Sequence, residues 1–222
     1  MTKSQIEFPA QVDLEEKISD WAHDLRSPFN HVLGFTKMVL NGQSGPLTET
    51  QKEDLSIAYR SGQRAMALVN NLIEIARLQR GEKDVNRVPL ELQTFLDQTI
   101  AQWQKNNPGI EMPLGIVLTT QSPMVDLDKQ QTGWILNGFF SYLAAYSDGT
   151  GSLTLEVNEE ADALVFSLRQ IGITKKGFDK ITLEMFAFIC KAYIELQGGK
   201  IRQSELDEGE AMVQFSIPKD RQ

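Results

Sequence analysis

The chain has 222 residues, 22 of them Lys or Arg against 30 Asp or Glu, giving a formal net charge of -8 and a pI near 4.9. Phosphate-binding surfaces need a cationic excess, so this balance argues against nucleic acid and anionic lipid as partners. No apolar run approaches the roughly twenty residues that cross a bilayer, and the polar N-terminus lacks the charged-then-apolar order of a signal peptide, so a cytoplasmic protein with no membrane partner is expected.

A first helix is predicted over 13–40. Leu14, Ile18, Trp21, Ala22, Leu25, Phe29, Val32, Val39 and Leu40 recur at steps of three and four and form one apolar stripe. At about 100° per residue, His23 falls roughly 160° from the centre of that stripe, and Ser27, Asn30, Gly34 and Lys37 share its side. A histidine recruited for packing would sit on the stripe, so His23 is expected to face solvent, a partner or a second domain. His31 lies about 80° round the helix from His23 and reads as structural. Pro28 removes one backbone hydrogen bond and is expected to kink the helix just after His23. The turn Asn41-Gly42-Gln43-Ser44-Gly45-Pro46 ends it.

A second helix opens with Thr48 as N-cap and Gln51 three residues on, a capping box, and ends before Gly81. Its stripe is Leu55, Ala58, Gly62, Ala65, Met66, Val69, Leu72, Ile73 and Ala76. Two amphipathic helices in a hairpin leave part of each stripe uncovered. A second copy would bury it in a four-helix bundle, which predicts a homodimer; cover by the chain's own second domain is the alternative.

From about 84 the period changes, dividing the chain into domains 1–83 and 84–222. Val88-Pro89-Leu90 and 116–119 read as strands, 91–104 and 128–146 as helices, and 152–157 with 163–169 as a hairpin turning at Asn158-Glu159-Glu160. Residues 179–197 read as a helix stopped by Gly198-Gly199, and 200–203 with 212–217 as a last hairpin around Asp207-Glu208-Gly209. The predicted fold is α+β, an N-terminal helical hairpin followed by a two-layer α/β sandwich. Cys190, the single cysteine, excludes an internal disulfide and a cysteine-based zinc site. Within Met185-Phe186-Ala187-Phe188-Ile189-Cys190 it reads as a buried small hydrophobe.

The run His23-Asp24-Leu25-Arg26-Ser27-Pro28-Phe29 resembles the phosphoacceptor box of two-component sensor histidine kinases, His-Glu-Leu-Arg-Thr-Pro-Leu, with Asp24, Ser27 and Phe29 as departures. The resemblance continues through Leu33-Gly34-Phe35, Gly45-Pro46-Leu47-Thr48 and Ala76-Arg77-Leu78-Gln79-Arg80-Gly81. Later, Lys191-Ala192-Tyr193-Ile194-Glu195-Leu196-Gln197-Gly198-Gly199-Lys200-Ile201 is similar to a helix end and following strand in that family's ATP-binding domain.

The nucleotide motifs depart from the family pattern. Its N box holds Mg²⁺ and phosphate through asparagines and a lysine, which fall here on Gly138, Tyr142 and Ala145; Asn137 is one residue, about 100°, off register. Mg²⁺ demands oxygen ligands in strict geometry, for which a phenol is a poor substitute. The family's adenine-reading aspartate falls on Gln170 in Gln170-Ile171-Gly172-Ile173-Thr174, where the second glycine is gone. The glycines that let backbone approach phosphate fall on Thr182, Glu184 and Phe186, and the interval from Gly172 to Thr182 is too short for the family's ATP lid. The resemblance therefore implies a kinase-shaped domain with an inactive nucleotide site and neither ATP nor Mg²⁺ as its own cofactor.

In organisation the chain is similar to the ChpT-type histidine phosphotransferases. That implies a phosphorelay role, in which His23 accepts a phosphoryl group from an upstream histidine kinase or phospho-receiver. It then passes the group to the receiver domain of a response regulator, which supplies Mg²⁺. An exposed imidazole, with an unperturbed pKa of about 6.5, is mostly neutral near neutral pH and so nucleophilic. Asp24 is the candidate to orient the ring or accept its proton, and Ser27 stands where the family positions a water for dephosphorylation. In the plainer readings, Asp24 only pairs with Lys17 or Arg26, and Ser27 only solvates the kinked backbone. Arg26 is expected to steady the helix or a partner. Only a short polar stretch precedes Leu14, so input is expected in trans if the chain is complete. The rivals are an ATP-dependent autokinase with divergent boxes and a non-catalytic module that binds a kinase or regulator.

Overall fold

Two long helices build the first of two units, Met1–Lys83: α1 (Leu14–Leu40), which carries Pro28 inside it, and α2 (Glu49–Gln79). The computed structural model describes residues 14–107, 110, 112–120, 122–144, 147–160, 162–173, 180–207 and 209–219. The expected capping box sets the start of α2: the Thr48 hydroxyl accepts from the Gln51 N–H at 3.3 Å, and Gln51 Oε1 accepts from the Thr48 N–H at 3.0 Å.

The apolar stripe of α1 divides into two lines. Phe29 packs against Val69 and Ile73 of α2, and Leu33 lies over Gly62, where an added Cβ would stand 3.0 Å from Leu33 Cδ2. Trp21, Leu25, Val32 and Phe35 lie roughly 80° further round and stay 49, 46, 57 and 66% exposed. On α2, Val69, Ile73 and Ala76 are buried while Leu72 is 40% exposed. One hairpin thus covers one line of each helix and leaves the next bare.

The second unit, Asp84–Gln222, runs β1 (Arg87–Glu91), α3 (Leu92–Asn106), β2 (Leu114–Leu118), β3 (Met124–Asp128), α4 (Lys129–Ala144), β4 (Ser147–Glu160), β5 (Ala163–Ile173), α5 (Lys180–Leu196), β6 (Lys200–Asp207) and β7 (Glu210–Pro218). Five strands form one sheet in the order β2-β4-β5-β7-β6, with β2 parallel to β4 and every other pair antiparallel; β1 and β3 make a separate antiparallel ribbon. Alternation sets its inner face: Ala211, Val213 and Phe215 of β7 are buried and the intervening Met212 and Gln214 are half-buried. Buried residues of the helices, among them Leu96, Trp103, Ile135, Phe140 and Ile194, complete the core. The result is the expected α+β arrangement of a helical region followed by a mixed sheet domain.

Local chemistry fixes several ends. Asp128 caps α4 by accepting the Gln131 N–H at 2.8 Å, and its other oxygen accepts the Asn86 N–H at 2.8 Å. Gly198 (φ 77°) ends α5: the Gly198 N–H bonds to Glu195 O at 2.9 Å and the Gly199 N–H to Ile194 O at 2.8 Å, the paired bonds of a Schellman motif.

Three expectations need correction. Asn158, Glu159 and Glu160 do not form a turn; they belong to β4, where Lys219 Nζ lies 2.7 Å from Glu159 and Arg202 2.6 Å from Glu160. Cations on neighbouring segments make acidic residues tolerable in a strand. Asp207 likewise lies in β6, and Gly209 (φ 91°) precedes β7. Residues 124–127, given no element from sequence, form β3 with Asp128 because β1 pairs with them. Tyr146 and Glu208 lie outside the described residues.

Candidate functional site

The backbone of α1 passes through position 23; the His23 side chain lies outside the described residues. The residues that share its helical phase, Ser27, Asn30, Gly34 and Lys37, are all exposed, as is Asp24. A Cβ added at Gly34 would meet nothing within 4 Å. This side of α1 therefore presents exposed polar side chains with free space above Gly34.

Arg26 reaches across the hairpin. Its Nε donates to Oδ1 of Asn70 on α2 at 3.0 Å. Asn70 escaped the sequence analysis; its only signal is a polar pair, Asn70-Asn71, inside an otherwise apolar stretch. The structural reading of His31 is corrected: the residue is exposed. It sits two residues from both Phe29 and Leu33, about 200° round the helix, and so on the side away from the α2 contacts.

In the second unit, the positions aligned with nucleotide motifs are occupied by aromatic packing. Phe186 of α5 stacks on Tyr142 of α4 (ring centroids 6.0 Å apart, planes at 26°) and on Trp134 (5.9 Å, 29°), and meets Phe139 edge-on at 5.4 Å. A Cβ built at Gly138 would lie 1.9 Å from the Phe186 ring. No side chain, asparagine included, fits at 138 while Phe186 keeps this place. Asn137 turns its amide back to its own helix, donating to Gly133 O at 2.8 Å, and its buried Oδ1 has no hydrogen-bond partner.

Gln170 is fully buried on β5. Its Nε2 lies 3.6 Å from Met112 Sδ, and its Oε1 is buried without a partner. Glu184 is exposed. Ala145, Thr174 and the Thr182 side chain lie outside the described residues. Cys190 is fully buried, and that burial pushes its thiol pKa well up, leaving the neutral thiol expected of a small hydrophobe.

Among the described residues no helix is long and apolar enough to cross a membrane. Residues 13–81 match the His Kinase A (phospho-acceptor) domain. The circadian input-output histidine kinase CikA of Synechococcus elongatus is 26% identical over 160 residues, which cover 71% of this chain and 21% of CikA. Full-length ShkA in complex with AMPPNP superposes with a TM-score of 0.72 at 20% identity, over 92% of this chain and 46% of that one. Histidine kinase ThkA in complex with response regulator protein TrrA gives a TM-score of 0.62 at 18% identity, over 93% of this chain and 62% of that one. The chain thus spans about a fifth of its curated relative's length and under half of ShkA's. The phospho-acceptor match covers the helical hairpin, and the likeness to these solved histidine kinases extends the same fold through the second unit.

Proposed function

We propose that this chain is a histidine phosphotransfer protein of a phosphorelay, with His23 as the phosphoryl carrier and a kinase-shaped unit that does not use ATP. The observation that carries the first half is the open face of α1, on which Ser27, Asn30, Gly34 and Lys37 are exposed at the phase of position 23. A neutral imidazole nitrogen attacks the phosphorus of an aspartyl phosphate on a donor receiver. The N–P bond forms as the P–O bond breaks, and the aspartate leaves as a carboxylate. Asp24 balances the charge on the phosphorylated ring or accepts its remaining N–H proton. The reverse step delivers the group to an aspartate of a response regulator. Phosphoryl transfer asks mainly for in-line positioning, and Mg²⁺ arrives with the receiver. Ser27, one turn on from His23, positions water for loss of the phosphoryl group, so Ser27→Ala alters the rate of loss more than the rate of gain.

The second half rests on Phe186 filling the space over Gly138, and on Gln170 being buried against Met112. The ring of Phe186 over Gly138, and its stacking on Tyr142, support a unit that takes neither ATP nor Mg²⁺ of its own. The exposed line Trp21, Leu25, Val32 and Phe35, with Leu72 on α2, supports a homodimer in which two hairpins form a four-helix bundle.

A genuine ATP-dependent sensor kinase is the second reading, favoured by the relatives: CikA is named a histidine kinase and ShkA was solved with AMPPNP. Calorimetry separates the two. No binding of ATP or ADP at millimolar concentration with Mg²⁺ is expected; a dissociation constant below about 100 µM, roughly 5.5 kcal/mol of binding, would establish the kinase reading. The decisive test of phosphotransfer is incubation with a labelled phospho-receiver, which should leave an acid-labile, base-stable label on His23 and none on His31. If no phosphorylated receiver labels the protein, the module that binds a kinase or regulator without chemistry takes its place.

A further inference from the structure

Phosphotransfer at His23, on which this inference rests, requires that the turn bearing the imidazole be held in register with whatever α2 presents to the same partner. Pro28 weakens that register from within α1. Having no N–H, it cannot bond to the carbonyl of Asp24, so the turn 23–27 is joined to the rest of the helix by one backbone bond fewer. Beyond the proline, apolar contacts hold α1 to α2, with Phe29 on Val69 and Ile73 and Leu33 over Gly62. On the acceptor side of the proline, Arg26 reaches across: its Nε donates to Asn70 Oδ1 at 3.0 Å. Arg26 lies three residues after His23, about 4.5 Å along the axis, and three before Phe29. Asn70 is adjacent to Val69 and one turn before Ile73, so the polar bond and the apolar contact form successive layers of one seam.

We propose that Arg26 and Asn70 form a clamp that registers the phosphoacceptor turn against α2, and that both are positioning residues for transfer at His23. Neither touches the reacting atoms. The clamp acts once a receiver is bound, by fixing where the imidazole stands along the line of attack. Misplacement of about an ångström is enough to slow such a step strongly without weakening association.

The test uses the full chain and, as probe, an isolated receiver domain phosphorylated with acetyl phosphate, chosen because it labels the wild type. Rates are measured against receiver concentration. Arg26→Ala and Asn70→Ala should each lower the saturating transfer rate by about tenfold while leaving the half-saturating receiver concentration within about twofold. The double variant should be no slower than either single one, because the two residues share one bond. Asn70→Asp, which keeps an acceptor oxygen for Arg26, should restore transfer. Single variants that transfer at the wild-type rate, or losses that multiply in the double variant, would overturn the clamp while leaving phosphotransfer standing. A wild type that no phospho-receiver labels would overturn phosphotransfer itself and the role of the clamp with it.

Discussion

The acceptor face of α1 and the α4–α5 face are built by opposite means. Along the first, small and polar side chains at 27, 30, 34 and 37 are exposed, and nothing lies within 4 Å of an added Cβ at Gly34. Between α4 and α5, Phe186 contacts Trp134, Phe139 and Tyr142 and closes over Gly138. The difference is one of access. Under the proposed function this is what is needed: a surface that exchanges phosphate with another protein must stay open, whereas a nucleotide pocket has to be a cavity, and the ground between α4 and α5 is packed. The surrounding architecture is fully formed: the five-stranded sheet, the Asp128 cap and the Gly198-Gly199 stop are all in place. In the proposed reading, packing rather than unfolding is what keeps ATP out of this unit.

The sharpest way to break the comparison is at the open face. His23→Gln should abolish the phosphoryl label completely, read by acid and base lability of the product, with fold and assembly unchanged. A helical position on an exposed face tolerates such a change within about 0.5 kcal/mol. A variant that still relays phosphate would remove the chemistry from this face altogether.

Next in size are charges placed on the two lines of α2. Leu72, on the bare line, and Val69, inside the hairpin, should respond differently to the same substitution. Leu72→Asp should give a folded monomer by light scattering, since an unpaired carboxylate at a dimer seam costs several kcal/mol. Val69→Asp should instead unfold the hairpin, seen as loss of helical circular dichroism, because it buries that charge against Phe29 and Ile73. A wild type that is monomeric at micromolar concentration would remove the bundle.

What was legible in the sequence was what local chemistry decides. Thr48 with Gln51, Gly198 with Gly199 and the apolar steps of the long helices each act within a turn or two, and the structure has them where they were expected. What was not legible depends on distant partners. β3 exists because β1 pairs with it, and β4 runs on through Glu159 and Glu160, which pair with Leu164 and Ala163 of β5 and meet Lys219 and Arg202 from the far end of the chain. The division of the α1 stripe into a covered and a bare line follows from which line meets α2. The Arg26–Asn70 bond joins two polar residues that no periodicity marks. His31 was misread for the same reason, since its surroundings depend on the angle at which the helices meet.

The packed face can be probed through Gly138. Gly138→Asn, the family's side chain at that position, should destabilise the second unit by about 1–3 kcal/mol, as overpacking does, because its Cβ would stand 1.9 Å from the Phe186 ring. Phe186→Ala in the same chain should recover part of that loss, so that the double variant is more stable than the sum of the singles predicts. Urea unfolding measures both. Additive losses would mean that the ring moves aside without cost, and the contrast between an open and a filled face would weaken.

The smallest expected effect lies at the far end of β4. Glu159 accepts a hydrogen bond from Lys219 Nζ at 2.7 Å and another from the Thr120 hydroxyl at 2.6 Å. These partners, Lys219 first, lower its pKa from 4.5 to about 2. A carboxylate with a lowered folded-state pKa contributes stability that is fully present above its unfolded value. That contribution is lost as pH falls through the folded one, here between about 4.5 and 2. The urea midpoint of the wild type should therefore decline across this window more steeply than that of Glu159→Gln, which has no charge to lose. The pair is accessible to water and screened, so the difference should be small and should shrink further in high salt. Parallel declines in the two proteins would show that Lys219 does not hold the end of β4 by charge, and that its bond to Glu159 only follows from where β7 ends.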